Sequence, residues 1–509
     1  MTLTVLLSSG EKRIDVRRGE SALDALKRGG VAFSAPCGGL GVCGGCRAKM
    51  TGAMTSSDGG ILSDGEKSRG VRLLCRTFPA GDCTVDLRGT DLEVQTEGVS
   101  ADYPLSPLAP GKFGAAIDIG TTTVAVYLCD MESGRIVASS SAANPQSVYG
   151  ADVISRIDAI KRDFSALEAQ RSLIISLINN KLSLLCGGEI CAAVICGNTV
   201  MEHIAAGEDP RGIATYPFTP KTLFGSVIPA EKVGLAIKRG APVLFAPCIS
   251  SYVGGDISCG AAVTALADSD VDTLYLDVGT NGEIGFAHKG KLYFCSAAAG
   301  PALEGAGIKR GMPCEAGAVC EVGIQDNILM YKTIKNAAAK GICGSGVIDA
   351  VAVMLSLSVV DETGRTDVAG RFMKKIGGED VFTVSEKDDI YITPSDVRAV
   401  QLAKAAIAAG ERIIAGKCGG DINKVGKVIL AGGFGSHIRP ESAERIGLIP
   451  VGTAKKTVAV GNVAGTGAVA LLLSEEMRQR ARAICRDSVY TELSSCEEFS
   501  DAYIDAMMF

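Results

Sequence analysis

The chain has no tryptophan, only three histidines (His203, His288 and His437), and aromatics at 5% of its 509 residues. A histidine-rich zinc site or a Ser-His-Asp hydrolase would have almost nothing to be built from, and few rings are on hand to stack bases or sugars. Positive charge is short as well: 51 Lys and Arg face 57 Asp and Glu, a net charge of −6. Binding a phosphate backbone needs a clustered basic face, so neither nucleic acid nor an anionic membrane is expected as a partner. No apolar run reaches the ~20 residues that span a bilayer; the longest, Val347 to Val360, is interrupted by Asp349. The first residues, MTLTVLLSSGEKRIDV, carry no basic segment ahead of an apolar core and no cleavage signal. The expectation is a cytoplasmic protein. Hydrophobic residues make up 47%, enough for several cores, and the length suggests about three domains. Cysteine is abundant at 18. With no secretion signal, these thiols point to metal ligands or small buried hydrophobes rather than disulfides.

Residues 36–46 read PCGGLGVCGGC, which spaces Cys37, Cys43 and Cys46 as C-x5-C-x2-C, with Cys75 farther on. Thiolates set among glycines can converge on one cluster while backbone amides approach its sulfurs, because Gly38, Gly39, Gly41, Gly44 and Gly45 present no side chain. The spacing is close to the C-x4-C-x2-C…C pattern of plant-type 2Fe-2S ferredoxins, with one residue added. Thr2–Leu7 and Lys12–Val16 alternate like a hairpin, Glu20–Lys27 reads as a short helix, and Cys75 and Val85 fall in β-like segments. Together these predict a β-grasp ferredoxin over 1–87. A zinc knuckle or a bare glycine-rich loop is the alternative, but zinc more usually takes two C-x2-C pairs. Cys83 rivals Cys75 as fourth ligand; Cys75 is preferred because RLLCRT resembles the last-ligand strand of ferredoxins. Residues 88–112 then read as a linker, in which Pro104, Pro107 and Pro110 favour an extended connector.

Beyond the linker, AAIDIGTTTVAVYLCD (115–130) is a strand ending at Asp118, a turn of Gly120, Thr121 and Thr122, and renewed alternation. LYLDVGTNGEIGF (274–286) repeats it with Asp277, Gly279, Thr280 and Asn281. In Rossmann and P-loop sites the glycine turn opens a helix. Here alternation continues, so each turn belongs to a hairpin whose amides and hydroxyls face one point. Two such hairpins could clamp a triphosphate, with Asp118 and Asp277 placed for Mg²⁺ or its waters. A third element, KVILAGGFGSHI (427–438), ends a buried strand on Gly432, Gly433, Phe434 and Gly435, where backbone can lie against a flat adenine. GGDISCGAAVTAL (254–266) and GNVAGTGAVALLL (461–473) read as small-residue helices able to cross another helix closely. The order resembles the phosphate-1, connect-1, phosphate-2, adenosine, connect-2 series of the actin, Hsp70 and sugar-kinase superfamily. The predicted fold is multi-domain α/β: the ferredoxin, then a two-lobed RNase H-like ATPase core. Lobe I is expected over 113–270 and lobe II over 271–509, with the C-terminal segment returning toward lobe I.

A plant-type ferredoxin fused to such a core resembles the reductive activators of corrinoid proteins. NPQSVYGADVISRI (144–157), GNTVMEH (197–203), GPALEGAGIKRGM (300–312), GICGSGVIDA (341–350) and the C-terminal YTELSSCEEFSDAYIDAMMF are similar to that family. The resemblance implies a 2Fe-2S cluster on Cys37, Cys43, Cys46 and Cys75, ATP with Mg²⁺ between the lobes, and one-electron reduction of a corrinoid protein from Co(II) to Co(I). An upstream low-potential donor is implied, and a homodimer is the candidate assembly. Family members can carry a middle domain between ferredoxin and ATPase, for which only the short linker leaves room here. Alternatives are a small-molecule kinase of the same fold with a sensory cluster, and an electron carrier or scaffold with a degenerate nucleotide site.

Other features have plainer readings. Cys186, Cys191 and Cys196 recur every five residues, yet CAAVIC reads as a buried strand. Cys248, Cys259, Cys295, Cys314, Cys320 and Cys343 read as core packing. GICGSG is out of register for a nucleophile elbow at Ser345 and reads as a glycine-rich helix entry. Glu304, Lys309 and Arg310 are either nucleotide contacts or a solvated polar face.

Overall fold

In the computed structural model, residues 1–7, 10–29, 31, 46–62, 64–87, 103–279, 281–433 and 435–509 are described. Cys37, Cys43, Thr280, Phe434 and linker residues 88–102 therefore lie outside the described residues.

Near the N-terminus, β1 (Thr2–Leu7) and β2 (Gly10–Asp15) form the expected hairpin, followed by helix Ala22–Arg28. β3 (Arg47–Ser56), β4 (Val71–Leu73) and β5 (Thr77–Asp86) complete a five-stranded sheet of order β2-β1-β5-β3-β4. β5 runs parallel to β1, the mark of a β-grasp. Alternation places Leu3, Val5, Ile14, Met50 and Val85 inside, against Leu23 and Leu26 of the helix. One detail differs from the sequence reading: Cys75 sits in a 3-10 turn, Leu74–Arg76, between β4 and β5 rather than in a strand.

The chain divides into two compact units. The first contains Ala109–Leu223 and Val227–Phe245 together with the ferredoxin-like sheet; the second contains Phe224–Ser226, Ala246–Phe509 and the segment ending at Leu108. In the first unit, β6 (Phe113–Ile119), β7 (Thr123–Asp130) and β8 (Arg135–Ala143) are an antiparallel meander. β9 (Ile190–Gly197) adds parallel to β6, β10 (Val227–Pro229) lies at the edge, and β11 (Pro242–Phe245) is parallel to β9. β9 is buried along its whole length, which explains its unbroken apolar sequence ICAAVICG.

The second unit repeats the skeleton. β12 (Thr273–Val278), β13 (Gly282–His288) and β14 (Lys291–Ala297) are the meander. Two small sheets follow: β15 (Ala318–Gln325), β16 (Ile328–Thr333) and β17 (Gly341–Ile342), then β18 (Met373–Ile376), β19 (Glu379–Ser385) and β20 (Ile390–Ile392). β21 (Lys427–Ala431) is parallel to β12, β22 (Thr457–Gly461) is parallel to β21, and β23 (Val489–Tyr490) lies beside β14. The two six-stranded sheets, β10-β11-β9-β6-β7-β8 and β22-β21-β12-β13-β14-β23, thus share a core of five strands, a three-stranded meander with two parallel strands beside its first strand; the first sheet adds β10 at that edge and the second adds β23 beside β14. The duplication read from the two Asp-x-Gly-Thr turns is a duplication of architecture.

The two small-residue stretches form helices Gly255–Val263 and Val463–Leu473, which pack on each other in the second unit. A Cβ on Gly467 would collide with the Cys259 carbonyl oxygen, and one on Gly260 with Tyr275 Oη. The linker's last residues dock on this pair: Ser106 N donates to Leu473 O at 2.8 Å, Leu108 N to Leu472 O at 2.9 Å, and Arg478 Nη2 to Ser106 O at 2.8 Å. The C-terminal helix Phe499–Asp505 packs on helix Pro394–Lys417 of the same unit, where Lys404 Nζ donates to Met508 O. Among the described residues no helix is long and apolar enough to cross a membrane.

Candidate functional sites in the ferredoxin and the two hairpins

In the β-grasp sheet, Cys46 enters β3 and Cys75 follows β4, and their sulfurs stand 3.2 Å apart. Leu74 N donates to Cys46 O at 2.9 Å, which ties the two ligand segments together. Two soft thiols in contact beside the ferredoxin-like sheet suit an iron–sulfur cluster; the other two proposed ligands, Cys37 and Cys43, lie outside the described residues. Cys83 is placed differently. It lies inside β5, opposite Leu3 and Gly52, with its Sγ–H donating to Ala53 O at 3.0 Å. Burial raises its thiol above the usual range.

The first hairpin turn, Gly120 to Thr122, is fixed by side chains from distant segments. Asn144 Nδ2 donates to Gly120 O and Asn144 N to Thr122 O, both at 2.8 Å. Arg156, fully buried, donates from Nη2 to Thr121 O, from Nε to Gly150 O at 3.1 Å and from Nη1 to Gln146 Oε1 at 3.3 Å. Burial lowers its guanidinium to about 9. Asn198 Nδ2 donates to Thr121 Oγ1 at 3.1 Å, while its Oδ1 caps helix Thr199–Ala206 by accepting from Met201 N at 3.0 Å. Asp118 is 9% exposed and pairs in register with Ala125 and Cys196; the Cys196 thiol lies 4.0 Å from its Oδ1.

The second turn has a different environment. Asp277 pairs across the sheet with Glu283 on one side and Ala431 on the other. β21 therefore delivers the glycine-rich strand end over Asp277: Gly432 has φ +85°, and a Cβ there would stand 2.5 Å from Asp277 Oδ1. Glu304 Oε1 stands 3.8 Å from where a Cβ on Gly279 would be. Glu283, 9% exposed, is held well above the usual carboxylate range by burial first, then by the charges of Asp256 and Asp277 and, more weakly, Glu304. Such a field favours a cation. Among the described residues no three His, Cys, Asp or Glu side chains stand together as a complete metal site. Mg²⁺ typically keeps several waters and takes one or two carboxylates plus substrate phosphates, so the residues fit nucleotide-borne Mg²⁺ rather than a resident ion.

Downstream of the glycine turn, Arg439 Nε pairs with buried Asp349 at 2.9 Å and Arg439 Nη2 donates to Val322 O at 2.7 Å. Asp349 also accepts from Val322 N at 3.1 Å. That bridge anchors the chain leaving Gly435 to helix Gly344–Ser356, and it accounts for the aspartate inside the longest apolar run. Of the remaining candidates, Lys309 N donates to Asp396 Oδ1 at 2.8 Å, and Arg310 pairs with Asp389 and lies over the Tyr391 ring at 4.9 Å. Sequence reasoning missed Asn144, Arg156, Asn198, Glu283 and Arg439. Three of these lie at or next to the family-like stretches NPQSVYGADVISRI and GNTVMEH.

Comparison with known proteins matches residues 6–80 to the 2Fe-2S iron-sulfur cluster binding domain, 113–269 to the RACo middle region, and 272–509 to the C-terminal domain of RACo, the ASKHA domain. The chain is 33% identical over 419 residues to the corrinoid activation enzyme RamQ of Eubacterium limosum, covering 78% of this chain and 70% of that protein. It is 24% identical to the Co(II) methylated amine-specific corrinoid protein reductase of Methanosarcina barkeri, covering 77% and 76%. A solved structure of a reductive activator for corrinoid iron-sulfur protein superimposes with a TM-score of 0.73 at 30% identity, covering 100% of this chain and 98% of that one. These matches correct one expectation. No middle domain is missing: residues 113–269, read as lobe I, match the family's middle region. With its ferredoxin, middle and ASKHA segments in order, the chain belongs to the family of reductive activators of corrinoid proteins.

Proposed function

We propose that this chain reductively activates a corrinoid protein, taking its cobalt from Co(II) to Co(I) by one electron, with ATP driving the transfer. The observation that carries the reading is the contact of Cys46 and Cys75, 3.2 Å apart in a β-grasp sheet, on the same chain as the duplicated hairpin core. Cys37, Cys43, Cys46 and Cys75 would hold a 2Fe-2S cluster, which supplies single electrons near ~−400 mV. An upstream low-potential donor would reload it. Reduction of Co(II) is uphill from that potential, and each ~100 mV of lift costs ~2.3 kcal/mol. Differential binding of the partner by nucleotide-bound and nucleotide-free states can supply that energy.

Gly120, Thr121 and Thr122 would contact phosphate, as would Gly279, Thr280 and Asn281. Asn198 orients the Thr121 hydroxyl, and Arg156 and Asn144 hold the carbonyls of the first turn so that its amides stay turned to the ligand. Asp118 and Asp277 would position Mg²⁺ waters, and Gly432, Gly433, Phe434 and Gly435 would receive the adenine. The test is ATP turnover by the full chain. It is expected to be slow alone and to rise when an oxidised corrinoid protein is added, because the partner completes the state that nucleotide favours. Phosphorylation of a metabolite without any corrinoid would instead mark a kinase with a sensory cluster.

A further inference from the structure

Three cysteines distant in sequence meet in the second unit. β15 is parallel to β17 with Val319 opposite Ile342, so Cys320 and Cys343 are the next residues along two neighbouring segments. Gly311 bridges to Ile342, and Met312 N donates to Ile342 O at 2.9 Å, which brings Cys314 alongside. Cys314 is half-buried and its side chain is hydrogen-bonded to Cys343, which is 2% exposed. Cys343 is the N-cap of helix Gly344–Ser356. Its sulfur stands 3.5 Å from Ser345 Oγ and 3.3 Å from Val319 O, and the Ser345 and Gly346 amides face it. Ser345 in turn donates to Cys320 O at 2.8 Å.

Burial alone would raise such a thiol, as it does for Cys129, pushed up to about 12, and for Cys295. Cys343 is instead lowered to about 6, first by the hydrogen bond with Cys314, then by the Ser345 hydroxyl and the helix amides. A buried thiol beside a partly exposed one is the arrangement of a resolving pair.

We propose that Cys314 and Cys343 form a redox-active dithiol that closes into an intramolecular disulfide by exchange with a low-molecular-weight disulfide. The half-buried Cys314 attacks oxidised glutathione, forming a mixed disulfide and releasing one glutathione thiol with the Cys314 proton. The Cys343 thiolate then attacks the Cys314 sulfur, forming the internal S–S bond and expelling the second glutathione as thiolate. Two protein thiols are oxidised and one disulfide is reduced. The site adjoins the second hairpin turn. A Cβ on Gly305 would stand 3.2 Å from Gly344 N, 3.3 Å from Ile342 O and 3.1 Å from Met312 O, so the segments carrying both cysteines clasp the residue after Glu304. Drawing them together shifts Glu304 relative to Gly279 and Asp277 and weakens nucleotide binding. This consequence rests on the nucleotide reading above.

The test uses cluster-loaded full chain, kept anaerobic and treated with oxidised glutathione. Free thiols are alkylated, the unreduced digest is mapped by mass spectrometry, and the visible spectrum is followed so that cluster loss is not mistaken for oxidation. A peptide linking Cys314 to Cys343 is expected, reversible by dithiothreitol, absent in Cys314→Ser and retained in Cys320→Ser. ADP–Mg²⁺ affinity should fall about tenfold in the cross-linked chain and stay unchanged in treated Cys314→Ser. A glutathione adduct persisting on Cys314, or a Cys320–Cys343 link, would overturn the pairing. Unchanged ADP affinity in the cross-linked chain would overturn the coupling. If the reduced chain binds no ADP, the nucleotide reading fails, while the cross-link map still decides the dithiol.

Discussion

The two hairpin turns share a sequence pattern and the same place in a three-stranded meander, yet the charges around them differ. Polar donors surround the first: Asn144, Asn198 and the buried guanidinium of Arg156 converge on Gly120, Thr121 and Thr122. Carboxylates crowd the second: burial first, and then the charges of Asp256, Asp277 and Glu304, hold Glu283 well above the usual carboxylate range. On the proposed nucleotide reading the duplicated backbone would serve two tasks: the first turn would hold its shape around anionic oxygens, and the second would attract a cation.

The largest effect should come from the carboxylates. Asp118→Ala and Asp277→Ala are each expected to lower ATP turnover by ~10²-fold or more, the scale of losing one preorganised electrostatic contact, with iron content unchanged. Mg²⁺ titration separates the turns: Asp277→Ala should raise the Mg²⁺ needed for half-maximal turnover, whereas Asn198→Ala should weaken nucleotide binding with no Mg²⁺ shift. Equal Mg²⁺ shifts in both variants would erase the distinction.

Next in size is the brace itself. Arg156→Met strands the carbonyls of Thr121 and Gly150, and each unsatisfied buried acceptor costs ~1–3 kcal/mol. Denaturant unfolding should therefore show several kcal/mol lost, against ~1 kcal/mol for Asn198→Ala, which mainly removes a helix cap. At the second turn, Gly432→Ala places a Cβ against Asp277 in a left-handed backbone and should cost ~1–3 kcal/mol. Gly433→Ala meets open space and should be nearly neutral.

The smallest effect is a pH dependence. Glu283 has a folded-state pKa above its unfolded value, so the native state holds a proton that the unfolded chain releases above about pH 4.5. Its contribution is present below that pH and is lost as pH rises through the folded pKa. Glu283→Gln should remove this loss, so the variant should gain stability relative to the parent as pH is raised in thermal melts without nucleotide. A constant difference across pH would show that the acidic cluster does not titrate.

The two hairpins were legible in the sequence, because local pattern carries them; the contrast between their surroundings was not. Alternation resuming after Asp118 and Asp277 marked hairpins rather than helix-opening loops, and the glycine spacing of 254–266 and 461–473 foretold helices in backbone contact. The resemblance of RLLCRT to a last-ligand strand favoured Cys75 over Cys83; in the structure Cys75 lies against Cys46, and Cys83 lies inside β5. What stayed hidden depends on tertiary contact. Asn144, Arg156 and Asn198 reach the first turn from 24 to 77 residues away, and an arginine in the helical sequence ADVISRI looks like any solvated cation. Glu283 reads as an outward strand residue until β12 brings Asp277 beside it. Residues 113–269 read as the first lobe of the ATPase, with the family's middle domain expected to be absent, because segment identity is not a matter of periodicity.

The central claim is that ATP drives electrons from the cluster to cobalt. Its most direct test mixes reduced full chain with a Co(II) corrinoid protein under anaerobic conditions and follows the Co(I) absorption. Co(I) is expected only with ATP and Mg²⁺, and Cys75→Ser is expected to abolish it while ATP hydrolysis continues. Equal Co(I) formation without nucleotide, or by Cys75→Ser, would contradict the account.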